Sequence, residues 1–219
     1  MKFVIVASTN GSVINELLVN PFFHRQIFSL VSDRVCGALE KAAYHGIRTD
    51  LILEPDKVAF SDRLLDYLET FDIDFVISFF TVLFVGRLLQ VYKDRIVNLH
   101  PSLLPSFKGL KGFENTIGYG VRFGGSTINF IDEAMDEGKI ILQTVYPVNP
   151  KEHISLLRHR VFEQQCKSLL QVVKWIDQGR VHVEGKNVII DGARFDNYEY
   201  SPALDFEDAV RLSIPLQGV

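Results

Sequence analysis

Cysteine, methionine and tryptophan are scarce, with two Cys, two Met and one Trp in 219 residues. Cys36 and Cys166 each fall on an apolar helical pattern. They read as buried thiols rather than as a disulfide or a metal-binding pair. Runs of basic residues are absent and the formal net charge is -4, which argues against a nucleic-acid partner. No apolar run reaches the ~18 residues of a membrane span. Met1-Lys2 is followed by a strand-length apolar run and then by Ser-Thr-Asn-Gly, unlike a signal peptide. The full Gly-x-Gly-x-x-Gly fingerprint is missing, which disfavours dinucleotide binding. The acidic spacing matches no calcium loop, so no metal is expected, and no Ser-His-Asp or Cys-His pattern stands out. What these absences leave is a cytoplasmic enzyme or binding domain acting on small molecules, as a monomer or homodimer.

Apolar residues, in contrast, are plentiful. Hydrophobic residues make up 47% of the chain and 17 are Phe, enough for a sizeable core and far from a disordered composition. The length suits one α/β domain with a small C-terminal extension. Residues 2–8 predict a buried strand, with 9–12 as a turn and Ser12 as N-cap of a helix through Leu18. Strands are then expected at 27–31, 50–53, 74–80 and 95–100, and helices at 36–44, 58–71 and 83–92. This alternation specifies a mostly parallel, twisted sheet with helices on both faces. After 109 the rhythm changes. A short helix at 113–120 precedes strands at 126–131 and 140–148, an antiparallel element appended to the sheet. A long helix at 151–179 follows, then a hairpin at 181–190 and a tail without clear period. The expected domains are 1–179 and a C-terminal hairpin and tail at 180–219.

Two stretches carry chemistry. In Val97-Asn98-Leu99-His100-Pro101-Ser102-Leu103-Leu104-Pro105, Asn98 and His100 alternate on a strand and so point to one face. Two prolines then stop regular structure. Parallel-sheet sites lie at the carboxyl ends of strands, where an imidazole can donate to an oxyanion or take a proton. The bland alternative is a loop histidine satisfied by backbone. Asn98 can donate its amide to a carbonyl oxygen, or simply form a turn. The second stretch places Asp132, Glu133, Asp136 and Glu137 on a turn before a strand. One of these carboxylates could pair with His100, or all could be solvated.

Asn-x-His-Pro-Ser-Leu-Leu-Pro, followed by Asp-Glu-x-x-Asp-x-Gly-x-Ile-Ile-x-Gln, resembles the folate-dependent formyltransferases, and among them those acting on glycinamide ribonucleotide in purine synthesis. The likeness runs from the first strand to about Gly179 and includes Ser8 to Ser12, Ser32-Asp33-Arg34 and Gly125-Ser126-Thr127. It implies a Rossmann-like formyltransferase fold and transfer of a formyl group from 10-formyltetrahydrofolate, as co-substrate, to a primary amine. By this resemblance Asn98, His100 and Asp136 are catalytic, with Thr127 supporting them. Folate would be held by Thr81, Val82, Leu83 and Phe84 together with Ile131, Asp132 and Glu133. The acceptor and its phosphate would meet Asn10, Gly11, Ser12 and Gln165.

The departures from the family pattern concern the acceptor. The phosphate loop ends in Val13 where the family has Asn, and the long helix carries Gln165 where an acid is usual. An amino sugar nucleotide or a siderophore-precursor hydroxylamine is therefore the alternative acceptor. A hydrolytic deformylase is a further alternative, but Pro101 replaces the residue such enzymes carry after the key His. A non-catalytic folate sensor is opposed by the retained Asn98, His100 and Asp136.

Overall fold

Five consecutive apolar residues form β1 (Phe3–Ala7), and every one of them is fully buried. A strand with no polar face must be covered on both sides, which is the position of a central strand in a parallel sheet. The structure is a computed structural model describing residues 1–216. It divides into two units, one formed by Met1–Asn98 with Phe130–Gly138, the other by Leu99–Asn129 with the described part of 139–219.

In the first unit, β1 leads through a left-handed Gly11 (φ 72°) into α1 (Ser12–Leu17). The N-cap is thus Gly11, and Ser12, expected to cap, is the first helical residue. An added Cβ at Gly11 would lie 2.7 Å from Ala38 Cα, so both the dihedral and the space demand glycine. A helix that the apolar pattern did not announce, α2 (Pro21–Gln26), follows. Its signal is local: Asn20 Oδ1 accepts from the Phe22 and Phe23 amides, and Pro21 stands in the first turn.

Next come β2 (Ile27–Ser32), α3 (Gly37–Tyr44), β3 (Arg48–Leu51), α4 (Lys57–Thr70), β4 (Phe75–Phe79), α5 (Arg87–Val91) and β5 (Ile96–His100). The strands within this unit pair in parallel in the order β5-β4-β1-β2-β3. β5 pairs with β4 as far as Asn98.

Three expectations shift. β3 begins at Arg48 instead of 50, because an edge strand tolerates polar residues that mask the apolar signal. Arg48 lies 4.6 Å from the Phe71 ring centroid and pairs with Asp50. α5 starts only at Arg87, after Gly86 at φ 68° and ψ -141°, a conformation that belongs to no helix and almost only to glycine. Cys36 is not a buried helical thiol. It occupies the N-cap position of α3, half-buried, with Sγ 3.5 Å from Ser32 Oγ. Cys166 is buried as expected.

The core on one side of this sheet joins Val4, Val6 and Val76 to Phe60, Leu64 and Leu68 of α4 and Leu88 of α5. Each fully buried Leu or Phe stabilises by roughly 1.5–3 kcal/mol. Asp56 caps α4 by accepting from the Val58 and Ala59 amides at 2.8 and 2.9 Å.

In the second unit, α6 (Gly112–Tyr119) precedes β6 (Phe123–Phe130) and β7 (Ile140–Pro147), an antiparallel pair. β6 starts earlier than the expected 126. Gly124 and Gly125 are strand residues packed so closely that an added Cβ would strike Tyr146 or the Thr144 carbonyl. The long helix is α7 (Ile154–Asp177), with Leu169, Val173, Trp175 and Ile176 buried. The expected hairpin is β8 (Val181–Glu184) with β9 (Asn187–Ile190). The tail, read as having no clear period, forms β10 (Tyr200–Ser201), which pairs antiparallel with β7, and α8 (Glu207–Arg211). The part of the tail expectation covering 217–219 lies outside the described residues.

Candidate active site

In the first unit the strand order turns back at β1: β2 and β3 lie to one side, β4 and β5 to the other. Such a reversal opens a crevice beyond the carboxyl ends of the strands. The loop after β1 forms one wall. Its backbone is pinned to α3, since the Ala38 amide donates to Thr9 O at 3.2 Å and Lys41 Nζ to Asn10 O at 2.6 Å. Asn10 and Ser12 are exposed there and Gly11 is buried. Val13, where the related pattern has Asn, is buried and turned into the core.

The loop after β4 forms the other wall. Thr81 is tied to the first wall, with its Oγ1 2.8 Å from Ser8 Oγ and its amide donating to the same oxygen at 3.1 Å. Leu83 is exposed and Val82 half-buried, so both can meet an apolar ligand. Phe84, expected with them, is buried and stacked on Phe80 at 5.3 Å, and Phe80 stacks in turn on Phe60 at 4.7 Å, so its ring is part of the core.

The acidic turn belongs to this unit as well. Ile131 packs against the cluster that includes Phe84, and its amide donates to Ile96 O at 2.8 Å. Asp132 and Glu133 are exposed and Asp136 is half-buried. Asp136 has φ 55°, a left-handed conformation uncommon outside glycine, and such strained positions cluster where a side chain must be aimed. Asn98 closes the unit's part of β5, half-buried opposite Ser78 of β4.

In the second unit His100 ends β5 and is buried, with 5% exposure. Its Nε2 lies 2.9 Å from Phe107 O. The bland reading of a histidine satisfied by backbone is thus realised at one ring nitrogen. The loop that makes this contact is braced throughout. Ser102 Oγ donates to Ser106 O at 2.6 Å and to Phe107 O at 3.3 Å. Thr127 Oγ1 donates to Ser102 O, and accepts from the Leu104 amide and from Gln143 Nε2. Thr127, expected as a supporting residue, is fully buried and holds the Pro101–Leu104 corner. Gln143 also donates to Leu104 O at 2.9 Å. Its bracing role was not read from the sequence, although it closes the second motif.

Gln165, expected to meet the acceptor, is half-buried on α7. Its neighbour Gln164 is buried, accepting from Thr144 Oγ1 and donating to Val145 O and Glu199 Oε1. Among the described residues no group of three or more His, Cys, Asp or Glu side chains could hold a metal ion.

In the first unit, polar loops beyond the carboxyl ends of a parallel sheet, with helices packed on it, define an α/β protein of the nucleotide-fold type. The Formyl transferase family model matches residues 1–173, and the chain belongs to that family. It is similar to the crystal structure of glycinamide ribonucleotide transformylase 1 from Symbiobacterium toebii, with a TM-score of 0.81 and 28% identity, covering 87% of this chain and 93% of that one. It is 29% identical over 141 residues to phosphoribosylglycinamide formyltransferase of Haemophilus influenzae, covering 64% of this chain and 66% of that protein. It is 32% identical over 194 residues to the human trifunctional purine biosynthetic protein adenosine-3, covering 85% of this chain and 19% of that protein. The chain thus spans just under two-thirds of the Haemophilus influenzae protein and about a fifth of the human one.

Proposed function

We propose that the protein transfers a formyl group from 10-formyltetrahydrofolate to the primary amine of glycinamide ribonucleotide. The observation that carries this reading is the end of β5, where Asn98 and His100 stand two residues apart and run into a loop braced by Ser102, Thr127 and Gln143. Family membership and the relatives' names support the substrates. The folate supplies a formyl carbon already joined to a nitrogen that can leave. One C–N bond forms, one breaks, and one proton passes from the amine to the departing nitrogen.

The residues divide this work by their chemistry. Asn98 Nδ2 donates to the formyl oxygen, whose negative charge grows as the amine attacks, and His100 adds a second donor. The Asp136 carboxylate stabilises the imidazolium and accepts the amine's proton, directly or through a water. Thr81, Val82, Leu83, Ile131, Asp132 and Glu133 hold the folate, largely through backbone groups and the exposed Leu83. Asn10, Gly11 and Ser12 hold the acceptor's phosphate, and Gln165 its glycinamide end. No covalent nucleophile is required, because the amine is itself the nucleophile.

A specific observation favours a second reading of the acceptor. Val13 is buried, and Gln165 is neutral, so two acceptor contacts of the related pattern are missing. A different amine, an amino sugar nucleotide or a hydroxylamine, would fit that loss. The test is appearance of tetrahydrofolate by absorbance with each amine offered in turn. Turnover dependent on glycinamide ribonucleotide supports the proposal. Turnover only with another amine keeps the chemistry and moves the acceptor, while turnover with no amine present identifies a hydrolase and overturns it.

A further inference from the structure

In the first unit, the loop after β1 and the loop after β4 are tied together by one side chain. Main-chain pairing of β1 with β4 ends at Ala7 opposite Phe79, where the Ser8 amide still donates to Phe79 O at 3.4 Å. Beyond that rung the two chains part, at the point where the strand order reverses and a crevice opens. Ser8 follows five fully buried residues and is itself half-buried. Its Oγ accepts the Thr81 amide at 3.1 Å and lies 2.8 Å from Thr81 Oγ1. A serine hydroxyl thus takes the place of the next carbonyl of the ladder, reaching across where the main chains no longer meet.

The segment it reaches is otherwise anchored at its ends. Phe80 and Phe84 stack on each other at 5.3 Å, and Phe80 stacks on Phe60 at 4.7 Å. Just beyond, the Val85 amide donates to Ser61 Oγ at 3.1 Å. Residues 81–83 bridge these anchors without belonging to a helix or a strand. Among the described residues, the hydrogen bonds made by 81–83 are the two that join Thr81 to Ser8. Aromatic anchors fix where the chain enters and leaves the core. A hydrogen bond to an amide also fixes the direction of that peptide unit, because the bond weakens steeply as it bends. Folate held largely through backbone groups of this span depends on that direction.

We propose that Ser8 is a positioning residue for the folate: from the loop that meets the acceptor, its hydroxyl fixes the 81–83 span in the conformation that binds the folate ring. This rests on the reading of Thr81, Val82 and Leu83 as folate-binding made above. Thr81 Oγ1 acts through Ser8 rather than as a separate contact. Ordering the span in the free protein removes a cost that binding would otherwise meet.

The test is the affinity for tetrahydrofolate, which carries the ring without the formyl group, measured by calorimetry on the full chain with no acceptor present. Ser8→Ala is expected to weaken it roughly 3- to 10-fold, as follows from losing one or two hydrogen bonds. Thr81→Val removes the hydroxyl and keeps the amide, so its loss should be smaller, and Thr81→Ser should restore the parent's affinity. Ser8→Ala combined with Thr81→Val should bind no more weakly than Ser8→Ala alone, because the second change removes a contact the first has already broken. Ser29→Ala is the control for stability. It breaks another hydroxyl pair of the same unit, Ser29 Oγ with the Tyr67 hydroxyl at 2.8 Å, and should lower Tm while leaving folate affinity unchanged. A folate affinity for Ser8→Ala within about two-fold of the parent overturns the proposal, as does a double variant whose losses simply add. Either result leaves the folate reading standing. A parent protein that does not bind tetrahydrofolate sinks that reading, and the positioning role falls with it.

Discussion

Tyr146 shows at a single residue what a buried polar group costs. Its ring fills the space beside Gly124, and its hydroxyl is buried with no hydrogen-bond partner among the described residues. Burial pushes its ionisation up to about 12, with Arg160 pulling weakly the other way. Tyr146→Phe removes the unsatisfied group and keeps the ring, so it should stabilise the protein by about 1 kcal/mol. For a chain of this size that is a rise in Tm of roughly 2–4 °C, readable by calorimetry. At this scale the sequence marked candidate groups but not the residues that brace the loop beside them. Asn98 and His100 were marked by residue type and spacing, and Asp136 by the family resemblance. The bracing by Ser102 and Gln143 was not marked, because a hydroxyl or amide held by a carbonyl elsewhere in the chain looks like any other in one dimension. Phe84 is ambiguous in the sequence, since its apolar ring suits a ligand face and a core equally well, and it packs against Phe80.

Among the elements, one carboxylate of the C-terminal segment gathers several donors from the end of α7 and the residues after it. Asp205 accepts from Trp175 Nε1, Gln171 Nε2 and Arg180 at 2.8–2.9 Å, while Gln171 Oε1 accepts the Asp205 and Phe206 amides. Trp175 and Gln171 are fully buried, so removing their acceptor strands two donors. Asp205→Ala should cost about 2 kcal/mol or more. Hydrogen exchange should quicken first in β10 and α8, and unchanged protection there would show that this clamp does not hold the segment. These short pieces could not be read in advance, since β10 and α8 are too brief to show a period and are fixed by partners far along the chain. α7 and the β8–β9 hairpin were legible because each carries its own pattern: a buried stripe over 24 residues in one, a Glu-Gly-Lys-Asn turn in the other. α2 was missed although Asn20-Pro21 announced it, because attention to apolar period passes over a helix of six residues.

For the whole molecule, stability should fall toward both ends of the pH scale. Burial pushes Asp50 and Glu163 up, but their hydrogen-bonded partners more than reverse it and both lie below their ordinary values. The partners are Arg48 and Tyr67 for Asp50, and Lys167 and the Ile214 amide for Glu163. The stabilisation from these two carboxylates is complete above the unfolded values near 4 and is lost as pH falls through the lower folded values. Glu163→Gln should therefore flatten the decline of Tm below about pH 4. Toward alkali, burial holds Tyr67 and Tyr146 up at about 12. Above the ordinary 10.0 the unfolded chain ionises first, and stability falls again. The parallel sheet itself was largely readable, since buried central strands are continuous apolar runs while edge strands such as β3 are not. The loop after β1 was less readable, because a loop of exposed polar residues leaves no apolar pattern.

The proposed formyl transfer depends on His100. The most direct measurement compares the parent protein with His100→Ala, following tetrahydrofolate release from 10-formyltetrahydrofolate in the presence of glycinamide ribonucleotide, with folate affinity measured separately. Turnover by the parent, a kcat lowered roughly 100-fold or more in His100→Ala, and folate affinity nearly unchanged are expected. Full turnover by His100→Ala would contradict that dependence.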